Sequence, residues 1–199
     1  MQMKIMKHTI LIMIMLGAFW YAPAQNFYGG ITAGLSGSQI DGDRQAGYEK
    51  IGFLAGVYVG HDLSSDLAFN IELYYIGKGA VMNTENPDGT VWQEFKTQLN
   101  YVEMPVFLEW KLHEKFSVSG GLASAFLVSS KLYNLGGLVP KEQYDMKDFD
   151  FQPAVKLEYI FNDKFGVNLR FSYSPVSVRK DLGWFNNNMS FAARYRLGQ

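Results

Sequence analysis

A chain of 199 residues with no cysteine, 18 basic and 19 acidic residues and an aromatic share of 16% cannot build a disulfide framework, use thiol chemistry or hold a metal through thiolates. Its net charge of −1 leaves no basic footprint for a nucleic-acid partner. The length suits one domain rather than several.

The first feature along the chain is a leader. Lys4 and Lys7 precede an apolar run from Ile10 to Trp20, and Ala22-Pro23-Ala24 supplies the small residues that precede a cleavage site. The run is much shorter than the roughly 20 apolar residues a spanning helix needs. The expectation is therefore a signal peptide over 1–24 and a mature domain over 25–199. Its removal takes away two lysines, leaving 18 − 2 = 16 basic residues against 19 acidic ones, a net of −3. No later stretch is apolar enough to span as a helix, so residence in a membrane requires strands.

Eight segments then alternate with period two, the pattern of strands with one apolar and one polar or small face. The first sets Phe27, Gly29, Ile31, Ala33 and Leu35 against Tyr28, Gly30, Thr32 and Gly34. The second opposes Ile51, Phe53, Ala55, Val57 and Val59 to Gly52, Gly56, Tyr58 and Gly60. The third has Leu67, Phe69, Ile71, Leu73 and Tyr75 opposite Ala68, Asn70, Glu72 and Tyr74. In the fourth, Val102, Met104, Val106, Leu108, Trp110 and Leu112 oppose Tyr101, Glu103, Pro105, Phe107, Glu109 and Lys111. The fifth, Phe116 to Ser130, is ambiguous after Ala123, where Phe126 and Leu127 compete for the apolar face. The sixth opposes Phe151, Val155, Leu157, Tyr159 and Phe161 to Gln152, Ala154, Lys156 and Glu158. The seventh sets Phe165, Val167, Leu169, Phe171 and Tyr173 against Asn168, Arg170, Ser172 and Ser174. The eighth sets Met189, Phe191, Ala193, Tyr195 and Leu197 against Ser190, Ala192, Arg194 and Arg196. Pro105 inside a strand marks a bulge or a pairing defect.

The links between strands alternate in length. Leu63-Ser64-Ser65-Asp66-Leu67, Leu112-His113-Glu114-Lys115-Phe116 and Phe161-Asn162-Asp163-Lys164-Phe165 are one tight turn used three times, each starting 49 residues after the last (112 − 63 and 161 − 112). The other links, around 37–48, 81–94, 131–148 and 175–187, are long and polar. Within them Asp41-Gly42-Asp43 and Asn86-Pro87-Asp88-Gly89 read as turns; the first lacks the further acids and distal Glu of a calcium loop. The expected fold is all-β: a closed antiparallel eight-stranded transmembrane β-barrel with short periplasmic turns and long extracellular loops, in the outer membrane of a Gram-negative bacterium. A kelch blade would need four strands per repeat, a lipocalin would turn its apolar face inward, and a sandwich would not alternate its loop lengths.

With the apolar face in lipid, the polar face fills the lumen. It carries Glu72, Glu103, Glu109 and Glu158 against Lys156, Arg170, Arg194 and Arg196, mostly in the half near the short turns. Burial of an unpaired charge is costly, so these eight are expected to pair across strands as a structural salt-bridge plug. Of the histidines, His8 falls in the leader and His61 and His113 at the short turns, and no acid, base and nucleophile converge. The expectation is a barrel without catalysis, cofactor or metal, with membrane lipid as its surroundings.

Two stretches carry a family resemblance. Ser38-Gln39-Ile40-Asp41-Gly42-Asp43, continued by Ala46-Gly47-Tyr48, Lys50 and Gly52-Phe53-Leu54-Ala55-Gly56, resembles the first hairpin of the PorT-like outer-membrane β-barrel family of Bacteroidetes. Tyr101-Val102-Glu103-Met104-Pro105-Val106-Phe107-Leu108-Glu109-Trp110 is similar to that family's strand bearing Tyr, Glu and Pro. The resemblance implies an integral outer-membrane protein; the family takes its name from a component tied to secretion and gliding, and most members have no assigned role. Two roles follow. The long loops point to a stand-alone structural or surface-interaction barrel, and the resemblance to an accessory subunit of a secretion or envelope-assembly complex. A lipid- or peptide-modifying barrel enzyme is the third and weakest alternative.

Overall fold

The computed structural model describes residues 27–43, 47–85, 88, 91–135 and 137–198. The leader expected over 1–24, and Asn86, Pro87 and Gly89 of the expected turn, lie outside the described residues. Among the described residues the chain forms β1 (Phe27–Asp41), β2 (Lys50–Asp62), β3 (Leu67–Glu85), β4 (Val91–His113), β5 (Phe116–Asn134), a two-residue β6 (Gly137–Leu138), β7 (Phe149–Ile160), β8 (Phe165–Tyr173) and β9 (Phe185–Gly198). All pairings are antiparallel, in the ring order β1-β2-β3-β4-β5-β7-β8-β9. The ring closes between β1 and β9, from Gly29 opposite Gly198 to Asp41 opposite Phe185. Lipid offers no hydrogen bonds to an open edge, so closure is what lets these strands cross it. The closed eight-stranded barrel expected from the alternation is thus the fold.

The apolar side of each strand faces outward. Phe53 is 76% exposed, and Ile51, Trp110, Phe126, Val155 and Phe191 are exposed with it, forming the surface that meets acyl chains. In the fifth segment Phe126 takes the outer face, and a bulge at Val128 resets the register, because Tyr101 pairs with Leu127 while Asn100 pairs with Ser129. Opposite Pro105 the β3–β4 ladder lapses between Ile71–Val106 and Tyr74–Glu103 and resumes in the same register, a pairing defect and not a bulge.

The strands outrun the sequence-based boundaries on the extracellular side. β3 and β4 continue as one hairpin through much of 81–94, and β9 begins at Phe185, four residues before Met189. Outside lipid neither face needs to be apolar, so the alternation fades while the ladder continues. β3 also leaves the wall. Its pairing with β2 ends at Leu54–Ile76, and Ile76 through Ala80 are five consecutive buried residues. There β3 crosses the inner side of β2 and reaches β1, where Ser36 Oγ donates to the Gly77 carbonyl (2.7 Å) and Ser38 Oγ to that of Gly79 (3.0 Å). A Cβ at Gly52 would strike the Gly77 carbonyl, so this crossing requires glycine there.

A lid of loops covers the extracellular mouth. Lys147 N–H donates to the Val178 carbonyl (2.8 Å) and Lys180 N–H to that of Asp145 (3.0 Å), tying the segment before β7 to the segment before β9. Tyr144, Met146, Val178 and Trp184 then pack on Ile40, Leu99 and Leu132 beneath them. An apolar cluster therefore lies directly beneath the lid, at the top of an otherwise largely polar interior. Trp184 meets Phe95 edge-on (6.3 Å between centroids) and carries the Arg179 guanidinium on its other contact (4.6 Å). On the lid's surface Asp145 holds the Lys180 ammonium above its ordinary pKa, and a hydrogen bond from Arg179 holds the Asp181 carboxyl below its own. Trp184→Ala is expected to cost the lid about 3 kcal/mol, raising its open population about a hundredfold. Limited trypsin digestion should then cut after Arg179 or Lys180 in the variant and spare the parent.

At the opposite end the repeated turns share their chemistry. Ser64 Oγ accepts from the Asp66 and Leu67 amides (3.3 and 3.1 Å), and Asn162 Oδ1 accepts from the Lys164 and Phe165 amides (3.0 and 2.9 Å). A side-chain acceptor at the second position tightens these two turns, whereas in the middle one His113 pairs with Phe116 in the ladder and Glu114-Lys115 alone make the turn.

Candidate functional site

The interior is the candidate site, and its charged network is built from inward positions on β3, β4, β7, β8 and β9. On adjacent strands Lys156 stands directly opposite Arg170, a like-charge pair that would be unfavourable alone. Glu72, projecting from β3 across the lumen, resolves it: one carboxylate oxygen accepts from Lys156 Nζ (2.8 Å) and the other from Arg170 Nη2. Glu158 lies 3.6 Å from Lys156 Nζ and accepts from Arg194 Nη1. The cations also rest on rings, Lys156 over Phe107 (4.7 Å) and Arg170 over Tyr74 (4.6 Å).

A second layer continues toward the lid. Arg170 Nη1 donates to the Tyr74 hydroxyl, which donates to Glu103 (3.0 Å). Lys78 Nζ lies 2.5 Å from Glu103 Oε1, an ion pair by distance although that oxygen accepts no well-directed hydrogen bond. Lys78 also donates to Gln152 (2.7 Å), Gln152 to Asp150 (2.6 Å) and Asn186 to the same carboxylate (2.8 Å); the Ser174 hydroxyl serves its other oxygen. One connected network thus runs from Arg194 near the short turns to Asp150 below the lid.

Six of the eight charges singled out in the sequence meet in this network: Glu72, Glu103, Lys156, Glu158, Arg170 and Arg194. The other two do not. Glu109 accepts from Asn70 (2.6 Å), Arg196 lies over the Tyr28 ring (4.4 Å), and neither enters an ion pair among the described residues. The pairing expected of these two is corrected: they line the periplasmic mouth from β4 and β9, which stand opposite each other in the ring, and each takes a neutral partner instead. Lys78 and Asp150 were missed. Lys78 lies beyond Tyr75, where β3 turns inward, and Asp150 precedes Phe151, where the apolar alternation starts. Inward parity extended by two residues from Ile76 and from Gln152 would have found both.

Neither histidine joins the interior network. His61 stacks on Phe27 (4.3 Å between centroids) and His113 is exposed. Asp41 accepts from Gln39 (2.8 Å) and Asn187 (3.3 Å), which ties the end of β1 to β9 as a turn would.

An apolar outer wall closed on itself around a polar, ion-paired interior defines an integral outer-membrane β-barrel protein. A model of the family described as "Outer membrane protein beta-barrel domain" matches residues 23–175, and the chain belongs to that family. Among solved structures it is similar to Ail, the attachment invasion locus protein of Yersinia pestis (13% identity, 86% of this chain and 99% of that one, TM-score 0.56). Ail in complex with the heparin analogue sucrose octasulfate aligns at 12% identity, over 86% and 99% of the two chains, with a TM-score of 0.53. Neisserial surface protein A aligns at 10% identity, over 85% and 96%, with a TM-score of 0.52. At these identities the likeness is one of fold. No curated protein matches the sequence. Family and fold together place the protein in the outer membrane.

Proposed function

We propose that the protein is a non-conducting, non-enzymatic surface barrel, its lumen shut by the interior charges and its extracellular loops available for interaction. The observation that carries this reading is the Glu72 cluster, in which every charge is turned toward another side chain rather than toward an open path. The lid supports it from outside: its loops hold each other while leaving Leu135 (74% exposed), Leu138, Val176 and Leu182 in water, the kind of apolar surface that meets a partner. Within its family the chain is assigned to the PorT-like members of Bacteroidetes on Ser38–Asp43 and Tyr101–Trp110, with a signal peptide over 1–24.

Reconstituted in planar bilayers in concentrated KCl, the protein is expected to give no stepwise conductance; regular single-channel steps would overturn the closed lumen. Native size in mild detergent then separates the two roles. A particle of single-barrel size fits the stand-alone surface protein, and a large reproducible assembly would replace it with an accessory subunit of an envelope complex.

A further inference from the structure

The periplasmic end of the lumen is open. A cavity of about 220 Å³ lies between the short turns, walled by Tyr28, Tyr58, Glu109, Ser117, Arg194 and Arg196. That is below the ~300–1,000 Å³ of sites for drug-sized ligands, so only a small molecule or the end of a chain fits.

The charges around it do not cancel locally. At the rim Lys111 and Asp62 neutralise each other (2.7 Å). Deeper, Glu158 engages Arg194 through Nη1, and the guanidinium stacks on Tyr58 (3.6 Å from its centroid). Arg194 Nε and Nη2, the side-on fork, have no hydrogen-bond partner. That fork is shielded, so it adds positive potential behind the cavity rather than a direct contact. Arg196 is the contact. It is part-exposed, pre-set over the Tyr28 ring, and outside any ion pair among the described residues. Facing it is Glu109, 4% exposed, which accepts from the neutral amide of Asn70 (2.6 Å).

Ring order fixes how these two stand. Counting β9-β1-β2-β3-β4 one way and β9-β8-β7-β5-β4 the other, β9 and β4 are four steps apart by either route, so they are diametrically opposed. Among the described residues, one guanidinium outside any ion pair therefore faces, across a small cavity, one carboxylate that is likewise outside any ion pair. A simple anion would meet Glu109 and the rim acids Glu114 and Asp163, and a simple cation would meet Arg196 backed by Arg194. A molecule with a carboxylate at one end and an ammonium at the other satisfies both walls.

We propose that the periplasmic mouth of the barrel binds a compact zwitterion, an amino acid or short peptide, with its carboxylate on Arg196 and its ammonium on Glu109. This does not depend on whether the lumen conducts, since the cavity lies below the Glu72 cluster.

The test titrates glycylglycine into the folded protein in lipid nanodiscs, following the arginine side-chain N–H resonances, with acetate and methylammonium as the two half-ligands. Saturable binding of glycylglycine is expected, with each half-ligand at least about tenfold weaker, since losing one charge-assisted bond exceeds about 1.4 kcal/mol. Arg196→Gln and Glu109→Gln should each weaken glycylglycine about tenfold or more, and Arg196→Lys, which keeps the charge but loses the fork, should fall between. Folding of each variant is read from its heat-modifiable electrophoretic shift. If Glu109→Gln does not fold, the two Arg196 variants decide, because that side chain is part-exposed. Acetate binding as tightly as glycylglycine, no saturation, or unchanged affinity in Arg196→Gln would each overturn the proposal.

Discussion

Glu72→Leu is expected to destabilise the folded barrel by about 3–5 kcal/mol, the cost of leaving buried charge without its counterion. Lys156 is fully buried and Arg170 is 2% exposed; they are cross-strand neighbours, and Glu72 is the group that accepts from both. Without it, two cations face each other, with Glu158 3.6 Å from Lys156 and Glu103 reached from Arg170 only through the Tyr74 hydroxyl. The contrast that isolates the cause is the triple variant Glu72→Leu, Lys156→Met, Arg170→Leu. It removes the charges together and should recover most of the loss, because the cluster's worth lies in mutual cancellation and not in net attraction. Urea titration of the refolded protein in detergent measures both. A single variant within about 1 kcal/mol of the parent would mean that water reaches the cluster and screens it.

Gly79→Ala is the second large effect, about 2–6 kcal/mol from two additive causes. The residue has φ +137°, outside the ordinary range of L side chains, and a Cβ built there would meet the Thr97 carbonyl on β4. Strained backbone costs about 1–3 kcal/mol and overpacking about as much again. The consequence reaches the site, because Gly79 follows Lys78 in the segment that turns inward. If β3 stays in the wall, Lys78 no longer reaches Glu103 and Gln152. Gly120→Ala is the control: nothing lies within 4 Å of a Cβ there, and the change should stay within about 0.5 kcal/mol. Equal losses in the two variants would show that glycine content, not the crossing, is what matters.

Strand alternation was legible wherever the chain meets lipid, since an apolar side chain at every second position is a demand of the solvent. It failed where that demand lapses. Beyond the membrane β4 begins at Val91 and not at Tyr101, with no period-two signal to announce it. Under the lid several inward positions are apolar, so Leu54, Ile76 and Leu99 break the expected polar-inside rule and pack in the lid's cluster instead. The six charges that meet in the network were readable from parity alone. Their pairing scheme was not, because Glu72 reaches its partners across the lumen and no local spacing records a distance of 84 or 98 residues. Arg196 and Glu109 share the parity of the other six, and only the ring order reveals that they stand on opposite walls.

The closing seam has a consequence for how the molecule comes into being. Ser38 pairs with Asn188, 188 − 38 = 150 residues away, and the rest of β1 and β9 follow in the same ladder. Contacts that distant form late and slowly. Until they form, every earlier stage of the sheet has two raw margins, each a row of amides and carbonyls that hydrocarbon will not solvate. The hairpins cannot therefore be threaded into the bilayer one after another as finished pieces. Entry and closure must be a single late event, and before it the chain has to be kept from pairing those margins with another copy of itself.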